Sequence, residues 1–116
     1  MPTPDLRPRL RFPGARGLVF GPGKAELLRH IAETGSIVRA AAQMEMSYNR
    51  AWTLVRDMNA LFRKPLVSRT RGGAAGGGTV LTAAGKDVLR RYTRMEEACL
   101  RATRRDWAAL RAALRA

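Results

Sequence analysis

The segment from Gly35 to Ser47 constrains the fold of this chain more than any other stretch of its sequence. Gly35 is a helix stop, and Ser36 can cap a short second helix running from Ile37 to about Met44. Ser47 is placed to cap a third. Two helices crossing steeply over so short a turn bring their backbones close, which favours alanine at the contact. Ala40 and Ala41 stand there, and Ile37, Met44 and Met46 supply an apolar wedge beneath the turn. Glu45 holds the turn position that glycine often fills, and a left-handed backbone there costs on the order of 1 kcal/mol. The pattern is that of a helix-turn-helix.

Signals on either side extend it. Leu6 to Phe12 reads as a short strand in which Pro8 implies an edge position or a bulge. Gly14 and Gly17 loosen the link to the apolar run Leu18-Val19-Phe20. Pro22 suits the first turn of a helix, and Ala25, Leu27, Leu28, Ile31 and Ala32 follow at helical spacing. The third helix is expected from Tyr48 to about Phe62, with Pro65 ending it. A strand at Leu66 to Thr70, a glycine-rich turn at Gly72 to Gly78 and a second strand at Thr79 to Leu81 make a hairpin. Thr82 caps a final helix that runs nearly to Leu114. The expected fold is mainly α with a small β wing: a winged helix-turn-helix with a long C-terminal dimerisation helix. Residues 1–81 are expected to form the winged helix-turn-helix body and residues 82–116 the C-terminal helix of the same domain.

Composition narrows the class. The 116 residues allow one compact domain, and their 46% apolar content is that of a globular protein. No apolar run approaches a membrane span, and the N-terminus, with Asp5 and Pro8, lacks a signal-peptide core, so the expected compartment is the cytoplasm. Cys99 and His30 are the single cysteine and histidine, which excludes an intrachain disulfide and a Cys-rich metal site. Neither a metal nor a cofactor is expected. Twenty-two basic residues against nine acidic ones leave a charge of +13, a field that draws the chain toward polyanions. Arginine-rich coding bias accounts for part of that excess. A membrane surface is the other polyanion, but no basic amphipathic segment stands out to bind one. Paired carboxylates, an activated nucleophile and a metal cluster are all missing from the pattern, so an enzyme is the least favoured class.

The third helix sorts by face. Ala51, Leu54, Val55, Met58 and Phe62 cluster toward the core, while Asn49, Arg50, Thr53, Arg56 and Asp57 fall opposite. Tyr48 and Trp52 lie on the flank. Asparagine can pair with adenine and arginine with guanine, each through two hydrogen bonds, so this face is equipped for a major groove. The DNA-binding candidates are Ser36, Ser47, Tyr48, Asn49, Arg50, Thr53 and Arg56, with Arg69, Arg71, Gly72 and Gly73 on the wing. An ordinary solvated helix face is the plainer reading. The glycine run is not a nucleotide-binding loop, because its last glycine enters Thr79-Val-Leu, a strand, with no lysine. Glycines beside arginines suit a wing lying close to the DNA backbone, or a merely disordered loop.

On the final helix Val88, Leu89, Tyr92, Met95, Cys99 and Ala102 form an apolar stripe, and the spacing slips afterwards to Trp107, Leu110 and Leu114. The stripe is read as a dimer surface, the alternative being that it packs back on its own domain. Cys99 fits as a small apolar residue rather than a redox switch, and His30 as an ordinary helix residue. The strand around Leu10 and Phe12 either joins the dimer or completes the wing sheet.

The run Gly35-Ser36-Ile37, Met46-Ser47-Tyr48, Ala51-Trp52 and Met58-Asn59, continued by Pro65-Leu66-Val67, Gly72-Gly73, Gly76-Gly77-Gly78 and Leu81-Thr82, resembles the DNA-binding domain of ModE-type molybdate-responsive regulators. More broadly, the alanine pair and the Leu81-Thr82-x-Ala84-Gly85 entry to the last helix resemble LysR-type winged helices. The resemblance covers about Phe12 to Tyr92. It implies a homodimer that reads a pseudo-palindromic operator in double-stranded DNA and regulates transcription. Members of the family continue into molybdate-binding domains that this chain does not show, so molybdate binding is not expected in it. Two rival readings are a protein-interaction module and an oxyanion sensor.

Overall fold

Capping residues set the helix boundaries. The computed structural model describes residues 5–73 and 76–115, with backbone alone at 71–73 and 76–77. Helix α1, Pro22–Thr34, opens on Pro22 and ends at Gly35, which takes φ +67° and returns its N–H to the Ile31 carbonyl. The Ser36 hydroxyl accepts from the Arg39 N–H at 3.1 Å and starts α2, Ile37–Gln43. Ser47 does the same for the Arg50 N–H and starts α3, Tyr48–Leu61. Both alanines sit at the crossing, Ala40 and Ala41 being buried along with Ala51 of α3. The Met46 N–H closes the turn onto the Ala41 carbonyl at 3.0 Å.

Glu45 does adopt the left-handed backbone, with φ +54°. Glycine enters that region without the Cβ clash, so Glu45→Gly is expected to raise the free energy of unfolding by up to ~1 kcal/mol. A loss of similar size in a urea melt would mean that the turn carries no strain.

The N-terminal strand is shorter than its sequence implies. Only β1, Phe12–Pro13, pairs, antiparallel to β2, Val19–Phe20, while Leu6 to Arg11 are not strand. The reason lies in the partner: β2 has two residues before Gly21 and Pro22 begin α1, so nothing is left for the earlier residues to pair with. This sheet is separate from the wing. Leu10 and Phe12 belong to the protomer's own body, since the Tyr92 hydroxyl donates to the Leu10 carbonyl at 2.7 Å and Phe12 stacks on Phe20 at 5.2 Å.

The wing is longer than expected. Strands β3, Val67–Gly73, and β4, Gly76–Leu81, pair from Val67↔Leu81 to Gly73↔Gly76, with a register irregularity between Thr70 and Gly73. Glycines at 72, 73 and 76–78 thus extend the ladder instead of forming a wide turn. Ala74 and Ala75, which the sequence also places in that turn, lie outside the described residues.

The last helix is two helices. Helix α4, Ala83–Ala102, is capped by Thr82, and α5, Arg104–Ala113, follows a break at Thr103. The Thr103 hydroxyl donates to the Cys99 carbonyl at 2.6 Å, a side chain-to-backbone bond that competes with helix continuation. The break coincides with the slip in apolar spacing. Against expectation, the first half of the stripe faces inward. Tyr92 is only 2% exposed, meets Phe20 edge-on at 5.3 Å and has no surface left for a partner. Burial raises its phenol pKa. Val88 and Leu89 pack against the same core. Across this contact Arg29 of α1 donates to Glu96 at 2.7 Å and Thr93 at 2.9 Å, and also pairs with Glu26. Burial lowers the guanidinium pKa, but the two carboxylates outweigh it and the net shift is upward.

Candidate nucleic-acid interface

Helix α3 has three distinct sides. Ala51, Val55 and Met58 are buried, and Asn49, Arg50, Thr53 and Arg56 are exposed on the opposite side. On one flank Trp52 meets the Tyr48 ring edge-on at 6.2 Å, and the Arg69 guanidinium of β3 lies 4.3 Å from the Trp52 ring centre. A cation over an indole face contributes about 0.5–1 kcal/mol at an exposed site, and here it orients the arginine as well. This flank walls a cleft of about 220 Å³ lined by Ser36, Val38, Tyr48, Trp52, Arg69 and Thr79. Val38, 62% exposed, leaves an apolar side chain on that surface.

Several candidate side chains already have structural work. Ser36 and Ser47 accept backbone N–H groups as caps, which leaves their hydroxyl protons free to donate. Thr53 donates to the Asn49 carbonyl at 3.0 Å and so offers its methyl group and a lone pair outward. The Asn49 and Arg50 side chains are exposed. Gly72 and Gly73 are backbone in β3, and the side chain of Arg71 lies outside the described residues.

The wing is fastened at both roots. Asn59 of α3 accepts from the Leu66 N–H at 2.8 Å and the Val67 N–H at 3.1 Å, and its amide donates to the Val67 carbonyl at 3.1 Å. On the second strand the Thr79 N–H reaches the Gly35 carbonyl at 2.9 Å. The hairpin is therefore tied to α3 by one strand and to the α1–α2 corner by the other.

Residues 23–86 match the family described as bacterial regulatory helix-turn-helix protein, lysR family. The chain belongs to this family. Among curated proteins it is similar to the molybdenum-pterin-binding protein MopB of Rhodobacter capsulatus, 42% identical over 89 residues, which are 71% of this chain and 33% of MopB. It is also similar to the DNA-binding transcriptional dual regulator ModE of Escherichia coli K12, 42% identical over 75 residues, covering 65% of this chain and 29% of ModE. The transcriptional regulator ModE of Haemophilus influenzae is 37% identical over 81 residues, 70% of this chain and 32% of that protein. The chain thus spans about a third of the length of these relatives. Among solved structures it resembles the crystal structure of the CbnR_DBD-DNA complex, with a TM-score of 0.60 and 25% identity over 76% of this chain and 95% of that one.

Within this LysR-family domain, the local sequence signals leave out one residue and one contact of the site. Asn59 entered only through the ModE resemblance, because nothing local announces that an amide will serve two backbone groups of the next strand. The contact between Arg69 and Trp52 was also missed, although the i, i+4 spacing of Tyr48 and Trp52 is enough to suggest the aromatic pair. The apolar stripe of α4 divides at about Met95. Met95 is 48% exposed, Leu100 and Ala102 are exposed and Cys99 is half-buried, while Val88, Leu89 and Tyr92 turn inward.

Proposed function

We propose that this chain is a sequence-specific, double-stranded DNA-binding transcriptional regulator of the ModE type that acts as a homodimer on a pseudo-palindromic operator. The observation that carries the reading is the outward face of α3, where Asn49, Arg50, Thr53 and Arg56 are exposed beside an arginine held on the wing flank. Arginine and asparagine pair bidentately with guanine and adenine edges, and phosphate contacts from the arginines supply salt-dependent affinity. Two such helices in a dimer enter successive major grooves about 34–36 Å apart. The dimer surface is the second half of α4 from Met95 through Cys99 and Ala102, continued by Leu110 of α5 and by Leu114 just past its end, all of them at least partly exposed. None of the described helices is long and apolar enough to cross a membrane, and a cytoplasmic location fits that.

Selection of bound duplexes from a random pool, followed by sequencing, tests the proposal. A two-fold symmetric motif is expected, with affinity falling steeply as salt rises. Asn49→Ala or Arg50→Ala then costs about 1–3 kcal/mol on the selected site and relaxes base preference at one position per half-site. Arg69→Ala weakens all sequences alike. Weak binding without any sequence preference would overturn the reading in favour of a protein-interaction module, and a calorimetric signal with molybdate or phosphate would favour the oxyanion sensor.

A further inference from the structure

A second cleft borders α3 on the side away from the wing. It encloses about 280 Å³, and its lining includes Arg9 and Arg11 from the N-terminal segment, Lys24 from α1, and Met46, Arg50 and Leu54 around α3. Four of these six side chains are cationic, and no acidic residue lines the cleft. Arg29 is held by Glu26 and Glu96, and Arg90 and Arg91 by Asp87. Among the described residues Arg9, Arg11, Lys24 and Arg50 form no ion pair, so four like charges gather in one cleft without an acidic residue in its lining.

The cleft also shows how its cations are seated. Gly21 lies beneath Arg11, so that a Cβ at Gly21 would stand 3.3 Å from the Arg11 Cγ. Lys24 is tethered by a hydrogen bond from its Nζ to the Val19 carbonyl at 2.6 Å. Arg50 belongs to two surfaces at once, the outward face of α3 and this cleft. Around the helix axis it stands about 160° from both Tyr48 and Trp52, which wall the wing cleft. Helix α3 is thus bordered by a cleft on each flank, one carrying Arg69 and the other four cations.

We propose that the Arg9–Arg11–Lys24 cleft is a second phosphodiester-binding surface, taking the DNA strand opposite the one that the wing addresses. This rests on the DNA-binding reading above. A helix with its side chains is about 10–12 Å across and a major groove is about 12 Å wide, so a helix lodged there has one sugar–phosphate strand on each side. Arg69 serves the first strand. Arg9, Arg11 and Lys24 serve the second, and Arg50 joins them to the base-reading face. Because these residues meet phosphates alone, they contribute affinity and register but no base preference.

The test is the salt dependence of duplex binding by the whole chain, comparing wild type, Arg9→Ala/Arg11→Ala and a control, Arg104→Ala/Arg105→Ala, that removes equal charge from α5. All four arginines are exposed, and circular dichroism melts check that the folds match. The first double variant is expected to reduce the slope of log K against log salt by about 2 per protomer, or roughly 4 for the homodimer, with the selected motif unchanged and the control near wild type. Equal slopes for wild type and Arg9→Ala/Arg11→Ala, or equal reductions in both double variants, would overturn the second surface while leaving a DNA-binding protein. Failure of the wild type to bind duplex would remove both this inference and the function on which it rests.

Discussion

Phe20→Ala is expected to cost about 3–5 kcal/mol, the largest loss from any single truncation in this chain. Phe20 is fully buried, and its ring meets Phe12, Phe62 and Tyr92, which come from β1, the end of α3 and α4. Truncation therefore opens a cavity at the point where these three segments join. Against a total stability of about 5–15 kcal/mol for a small domain, the loss is a large fraction. Each kcal/mol moves the midpoint of a domain this size by about 4–8 °C, so a thermal melt should fall by at least about 12 °C. Phe20→Leu, which keeps most of the apolar volume, should lose far less. A shift of only a few degrees for the alanine variant would show that α4 does not depend on this junction.

Asn59→Ala should cost on the order of 3 kcal/mol. One side chain satisfies the N–H groups of Leu66 and Val67 and the carbonyl of Val67, two residues that are themselves buried. Removing it orphans these backbone groups, and a buried unsatisfied group costs about 1–3 kcal/mol. Asn59→Asp keeps acceptors for the two N–H groups but turns an oxygen toward the Val67 carbonyl, so it should recover only part of the loss. Hydrogen exchange at Leu66 and Val67 gives the local readout. Their amides should lose protection in the alanine variant well before those of α1, and unchanged protection would count against Asn59 as the anchor of the wing. Duplex affinity should fall further than global stability implies, because the wing loses its fixed angle to α3.

Much of this architecture was legible because the decisive chemistry is local. Ser36, Ser47 and Thr82 each satisfy an N–H three residues on, and the strained turn at Glu45 follows from the spacing of the two short helices around it. What was not legible depends on partners remote in sequence. An apolar stripe on α4 says that a face will be covered, but not by what, and its first half is covered by Phe20 and the α1 face. Glycine suggests a turn, yet here it pairs as strand because the ladder uses only backbone. Leu6 to Arg11 have strand-like residues and no neighbour to pair with. For the site, the outward face of α3 emerged from periodicity, whereas Asn59 and the Arg69–Trp52 contact needed the hairpin to be in place.

The double rooting of the hairpin makes the domain a caliper. With one jaw bound to Asn59 and the other to the Gly35 carbonyl, the span between β3 and α3 is set when the chain folds, before any duplex arrives. The jaws do not adjust to the object measured. A duplex whose backbone spacing departs from that span must bend or narrow to fit, at an energy that depends on the stiffness of its own base steps. Base pairs that no side chain touches would then influence affinity, so selected sites should show preferences outside the positions proposed for Asn49 and Arg50.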